Sequence, residues 1–146
     1  MSNTFINDEA KNLFLGRFGE DIAASFLEKE GYEIVGRNVK FGRHELDIIA
    51  QDKNFLVFVE VKTRSCTHPE SSYYGNPGRA VTHKKRTDTL RATYDYLREN
   101  GTDKQPRIDV VEVFLQHIGD NRATPPQILN INHIRNAFDA RGRKQH

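Results

Sequence analysis

The chain has 146 residues, 29% of them charged and 36% hydrophobic, with a formal net charge of +2 and a single cysteine, Cys66. That length suits one compact domain over residues 1–146 with a basic tail at about 140–146, and one cysteine excludes a disulfide framework or a cysteine-based zinc site. The start, MSNTFINDEAKN, has neither the basic n-region nor the apolar h-region of a signal peptide, and no run approaches the ~18 apolar residues of a membrane span, so the expectation is a soluble, cytoplasmic protein with no membrane partner.

Asp8 can cap a first helix, over about residues 8–30, in which Ala10, Phe14, Phe18, Ile22 and Phe26 recur at spacing four until Gly31. YEIVGRNVKF is rich in β-branched and aromatic residues, and Gly42 and Arg43 turn it back into HELDIIA; QDKN is a second turn. FLVFVEVKTR then reads as a strand buried on both faces, because its apolar residues run on without alternation. The prolines and glycines of residues 65–78 predict a long loop, the kind that serves as a lid or binding loop. Leu90, Tyr94 and Leu97 mark the inner face of a second helix over about 79–99. RIDVVEVFL is another strand, followed by a short strand QILNI and a last helix capped by Asn132, with Ile134 and Phe138 inward. The order helix, three strands, helix, strand predicts an α/β fold with a central mixed sheet flanked by helices.

The buried strand carries charges that a buried strand should avoid. By the alternation of side chains, Phe58, Glu60 and Lys62 share one face while Leu46, Ile48 and Ala50 oppose Glu45, Asp47 and Ile49 on the strand before it. A hairpin turning at QDKN sets Asp47 level with, or diagonal to, Glu60, close enough for both carboxylates to reach one cation. Two such acids repel, and a divalent ion between them relieves the repulsion. Hard oxygen donors without Cys or His favour Mg²⁺ or Mn²⁺, and Lys62 beside them can orient water or stabilise a phosphate, which makes a phosphodiester-hydrolysis constellation. The plainer reading is a Glu60–Lys62 ion pair on an exposed edge with Asp47 solvated; the apolar run around them argues against it. Glu20 lies in a helical row of small and apolar residues, and either completes the metal site or pairs at the rim with Arg17. Glu45 shares the face of Asp47 and is either a supporting acid or a rim acid.

Basic residues gather in GRAVTHKKRTDTLR, where Arg79, Lys84, Lys85, Arg86 and Arg91 face one acid, and again in the tail RGRKQH. Such patches either bind a polyanion or are simply solvated faces. Tyr73 and Tyr74 in the long loop either stack on unpaired bases or pack the loop down.

Asp47 and Glu60-Val61-Lys62, with a helix before and a basic helix after, resemble the core of the PD-(D/E)XK nuclease superfamily, the restriction-endonuclease-like fold. The blocks GRFGEDIAASFLEKEGYEIVGRN, ELDIIA, FVEVKTR, YGNP, AVTHKK and RIDVV, in order over about residues 16–114, resemble the YraN-like family of predicted bacterial endonucleases. The resemblance implies Asp47, Glu60 and Lys62 as a catalytic triad, with Glu20 as the helix acid of archaeal Holliday-junction resolvases, so that Asp47, Glu60 and Glu20 would bind Mg²⁺ or Mn²⁺. It sets Lys85 where the family keeps a lysine in the second helix. His44 replaces a glycine common in the family, and Leu46 stands where the superfamily pattern has proline. The implied function is a metal-dependent endonuclease acting on DNA, branched or damaged DNA included, with Arg79, Lys84, Lys85 and Arg86 on the backbone and a homodimer suiting junction substrates. The rivals are a nucleic-acid-binding accessory protein that keeps the fold without cleavage and a structural subunit that binds protein through its sheet edge.

Overall fold

A computed structural model describes residues 8–66, 83–116 and 125–138. Along them run α1 (Asp8–Lys29), β1 (Glu33–Phe41), β2 (His44–Gln51), β3 (Phe55–Cys66), α2 (His83–Asn100), β4 (Gln105–Gln116) and β5 (Gln127–Ile134). The strands form one five-stranded sheet in sequential order, antiparallel except for the β3–β4 pair, which is parallel because α2 carries the chain back across the sheet. This is the expected α/β fold, a mixed sheet flanked by helices, and it is consistent with a restriction-endonuclease-like core. No helix among the described residues is long and apolar enough to cross a membrane. Arg79, Tyr73, Tyr74, most of the predicted 65–78 loop and the 140–146 tail lie outside the described residues.

Both hairpin turns follow from their residues. Phe41 faces His44 across a two-residue turn, and Gly42 supplies the φ of 60° that such a turn demands. In the second turn the Asp52 carboxylate accepts hydrogen bonds from the amides of Asn54 (2.9 Å) and Phe55 (2.8 Å), closing the chain locally. The resulting register pairs Ile48 with Val59 and Ile49 with Phe58.

Two apolar layers sandwich the sheet. Beneath α1 lie Ile48, Ala50, Val57, Val59, Val111, Val113 and Leu115; beneath α2 lie Leu46, Ile49, Leu56, Phe58, Ile108 and Val110. Each fully buried aliphatic or aromatic side chain contributes about 1.5–3 kcal/mol, which is why β3 and β4 tolerate an unbroken apolar sequence. On α1 the deepest residues are Leu15, Ala23 and Leu27, while Phe14, Phe18, Ile22 and Phe26 flank that stripe half-buried. Gly19 sits on it because any Cβ there would overlap the side chain of Thr63 on β3, so α1 lies directly on the strand that carries the acids.

Three expectations are corrected. Tyr94 is 48% exposed; the inner face of α2 is formed by Thr89, Ala92 and Thr93, with Leu90, Tyr96 and Leu97 packed at its edges. The helix expected from Asn132 is absent, because β5 continues through Ile134 and a turn leads to buried Phe138. Its donors are needed elsewhere: Asn132 Nδ2 donates to Glu112 (3.0 Å), and the amide of Asn136, at φ 50°, donates to Asp109 (2.9 Å). Two buried acids thus outweigh the helical spacing of Ile134 and Phe138. Finally, Leu46 lies with Ile49 under α2 rather than with Ile48, so the alternation of β2 slips at Asp47.

Candidate functional site

The slip at Asp47 makes the site. The described β2–β3 pairing ends at Ile48 and Val59, and beyond it the two strands part. There the Asp47 side chain takes over a main-chain role, its Oδ2 accepting the amide hydrogen of Val61 at 2.9 Å. The acid is thereby fixed against β3, one residue from Glu60. A cleft of about 370 Å³ opens at the parting, lined by Leu15, Gly16 and Glu20 of α1 and by Asp47, Glu60 and Lys62 of the sheet. Asp47, Glu60, Lys62 and Glu20, brought together from three elements, are the four residues expected from the sequence.

Their electrostatics are uneven. Glu60 is 5% exposed, and burial, then the neighbouring Asp47, push its carboxyl up to about 8 against the pull of Lys85 and Lys62. Burial also raises Asp47, with Glu20 and Glu45 adding to it and the Val61 amide and Lys85 opposing. Glu45 is therefore felt at the site through its charge, without lining the cleft. Burial and mutual repulsion hold two acids above their usual range in one cleft, a condition that a bound cation relieves.

Glu20 is occupied differently. Its Oε1 accepts from Asn38 Nδ2 (2.9 Å) and Arg37 Nη2 (3.3 Å), both on β1, and Arg37 also bridges to Asp21 at 2.7 Å. Among the described residues its partners are thus on β1, and Arg17 of its own helix is not one of them. Among the described residues no three His, Cys, Asp or Glu side chains stand together as a ready-made ion cage, so the expected set of Asp47, Glu60 and Glu20 is not assembled as three. Asp47 and Glu60 still suit Mg²⁺ or Mn²⁺, since such an ion is held by one or two carboxylates and keeps its remaining waters.

The basic residues of α2 divide. Lys84 is turned outward, its side chain 87% exposed and paired with Asp88 at 3.2 Å, and Asp88 is also 3.6 Å from His44. Arg86 is half-buried. Lys85 instead reaches Glu60, Nζ to Oε2 at 3.5 Å; a place in a basic run gave no sign of that inward turn.

Further charges in the sheet went unnoticed in the sequence. Glu112, 1% exposed, is the β4 residue aligned with Lys62; it accepts from Asn132 and lies 3.7 Å from Arg64. Asp109, fully buried, is gripped by Arg107 and His133. The signal was present, because RIDVVEVFL sets acids into an apolar run just as FLVFVEVK does.

The model of Uncharacterised protein family UPF0102 matches residues 19–113, a span that holds every acid and lysine of the cleft. The chain belongs to the UPF0102 family. A UPF0102 protein of Syntrophotalea carbinolica is 41% identical over 133 residues, covering 90% of this chain and 97% of that protein. One from Symbiobacterium thermophilum is 43% identical over 127 residues (86% and 97%), and one from Rhodococcus jostii 40% over 130 (88% and 99%). The match along nearly their whole length agrees with the YraN-like resemblance of the sequence blocks, and UPF0102 membership by itself assigns no activity.

Proposed function

We propose that this UPF0102 protein is a metal-dependent endonuclease that hydrolyses DNA phosphodiester bonds, branched or damaged DNA being the substrate class that the resolvase-like pattern favours. The observation that carries the reading is the Asp47–Glu60 pair, a half-buried and a buried carboxyl held above their usual range beside Lys62 where β2 and β3 separate. Asp47 and Glu60 would hold Mg²⁺ or Mn²⁺, and the ion, when bound, supplies Lewis-acid polarisation of the phosphate and a lower pKa for water. Lys62 projects from the same strand as Glu60 and positions the attacking water or the phosphate oxygen. Glu20, tied to β1 by Arg37 and Asn38, fixes the α1 wall of the cleft. Lys84 and Arg86, with Arg79, hold the backbone by charge.

The test is a panel of labelled linear, flap and four-way DNA substrates in Mg²⁺ or Mn²⁺, run beside Asp47→Ala and Glu60→Ala. Metal-dependent product that both substitutions abolish supports the nuclease. Salt-sensitive DNA binding that survives both substitutions, with no product in any divalent ion, would replace it by the accessory binding protein.

A further inference from the structure

The carboxylate pair already has a partner from outside its own hairpin. Lys85 extends from α2, its side chain 40% exposed, to an acid whose side chain is only 7% exposed, and stops 3.5 Å from Glu60 Oε2. Its charge acts on Asp47 as well as on Glu60. Lys62 also acts on Glu60 but is anchored two residues away on the same strand. Lys85 comes from a separate element on a flexible four-carbon stem, and its side chain is part-exposed. Of the two lysines it is the one that can leave.

The geometry points to Lys85 as the resident counter-ion of the Asp47–Glu60 pair, an ammonium that a divalent cation replaces while nucleic-acid phosphate draws it outward. This rests on the nuclease reading and adds an order of events to it. With both acids ionised, the Lys62 and Lys85 ammoniums balance the Asp47 and Glu60 carboxylates, while Glu20 is paired with Arg37 of β1. A divalent ion entering alone leaves two positive charges in excess, and like charges at this range repel strongly where water is scarce. A phosphodiester brings negative charge and offers Lys85 an alternative partner, so ion and nucleic acid favour each other's binding, and the coupling is reciprocal. The neighbour Lys84 cannot play this part, because its ammonium is held on the helix surface by Asp88.

Calorimetric titration of Mn²⁺ into the metal-free protein tests this directly. The titrations compare wild type, Lys85→Met, Lys85→Gln and Lys85→Arg with Arg91→Met, which removes an exposed charge from the same helix. They are run with and without a cleavage-resistant phosphorothioate duplex. Without duplex, Lys85→Met and Lys85→Gln should bind Mn²⁺ roughly tenfold more tightly than wild type, the effect of about 1.4 kcal/mol. Lys85→Arg and Arg91→Met should match wild type. Duplex should tighten Mn²⁺ binding to wild type, and much less to Lys85→Met. Equal or weaker Mn²⁺ affinity in both neutral variants overturns the counter-ion role while leaving the acids as a metal site. An absence of Mn²⁺ binding in every protein, duplex included, overturns the metal reading and the counter-ion role together.

Discussion

Asp109 and Glu60 are two acids buried in the same sheet with opposite fates. Asp109 aligns with Val59, the residue before Glu60, so little more than one pleat separates them. Yet Asp109 is saturated with donors: Arg107 grips both of its oxygens at 2.9 Å, His133 Nε2 stands at 2.7 Å and the Asn136 amide at 2.9 Å. Arg107 is braced in turn by the Tyr32 hydroxyl and by the ring of Phe55, 4.6 Å from its guanidinium. Asp109 therefore lies below its usual range despite its burial, while Glu60, with one lysine at 3.5 Å, is pushed to about 8. A buried acid that serves the fold receives its full complement of partners. One left short of them is available to a ligand.

Four experiments bear on that contrast. The largest effect should come from Asp109→Ala, which strands Arg107 and His133 in the interior. A loss of about 3–5 kcal/mol in urea-induced unfolding is expected, whereas Glu60→Gln, which relieves a repulsion, should leave stability unchanged or raise it. Comparable losses in the two variants would erase the distinction. Next comes activity. If the nuclease reading holds, Glu60→Gln should cut the cleavage rate on the order of 10²–10³-fold, the scale of removing one preorganised charged group, in protein that remains folded by circular dichroism.

The two acids should also act on stability in different pH ranges. A folded-state value of about 8 against an ordinary 4.5 means that folded Glu60 holds its proton longer than the unfolded chain does. Its contribution is therefore most favourable below pH 4.5 and is lost as pH rises toward 8. Asp109 works in the reverse sense: its stabilisation is present above the ordinary 3.8 and is lost as pH falls through its lowered value. Unfolding curves between pH 5 and 8 should thus flatten in Glu60→Gln, and a slope identical to wild type would contradict the placement of that acid. The smallest effect belongs to Gly19→Ala, which forces α1 away from Thr63. It should cost about 1–3 kcal/mol as overpacking, shifting the cleft wall without touching the Asp109 network, so the acid limb of the stability curve should stay as in wild type.

Most of the architecture was legible because it rests on local rules. Spacing along α1, turn residues at 42–43 and 51–54, and the unbroken apolar strands all follow from chain-neighbour chemistry. Asp47 and Glu60 were legible for a similar reason, since charge inside an apolar strand is costly and the hairpin register is short-range. What failed depended on distant partners. Asn132 looks like a helix cap until Glu112, 20 residues earlier, is seen to need its amide. Tyr94 fits a helical stripe, but α2 lies on the sheet through the smaller Thr89, Ala92 and Thr93. Glu20 pairs with Arg37 and Asn38 of β1 rather than with its helical neighbour Arg17, and the inward turn of Lys85 cannot be read from its place beside Lys84, which points the other way, although the family resemblance singled Lys85 out.

The parallel ladder between β3 and β4 runs from Phe55–Gln105 to Cys66–Gln116, joining residues about 50 apart, and closing so long a loop is slow beside hairpin formation. During synthesis the β1–β3 meander is therefore complete while the side of β3 that β4 will cover still presents bare amides and carbonyls along twelve residues. A nascent chain stalled before residue 105 carries that open edge, the kind of surface that recruits another strand, and emergence of β4 is what ends the hazard.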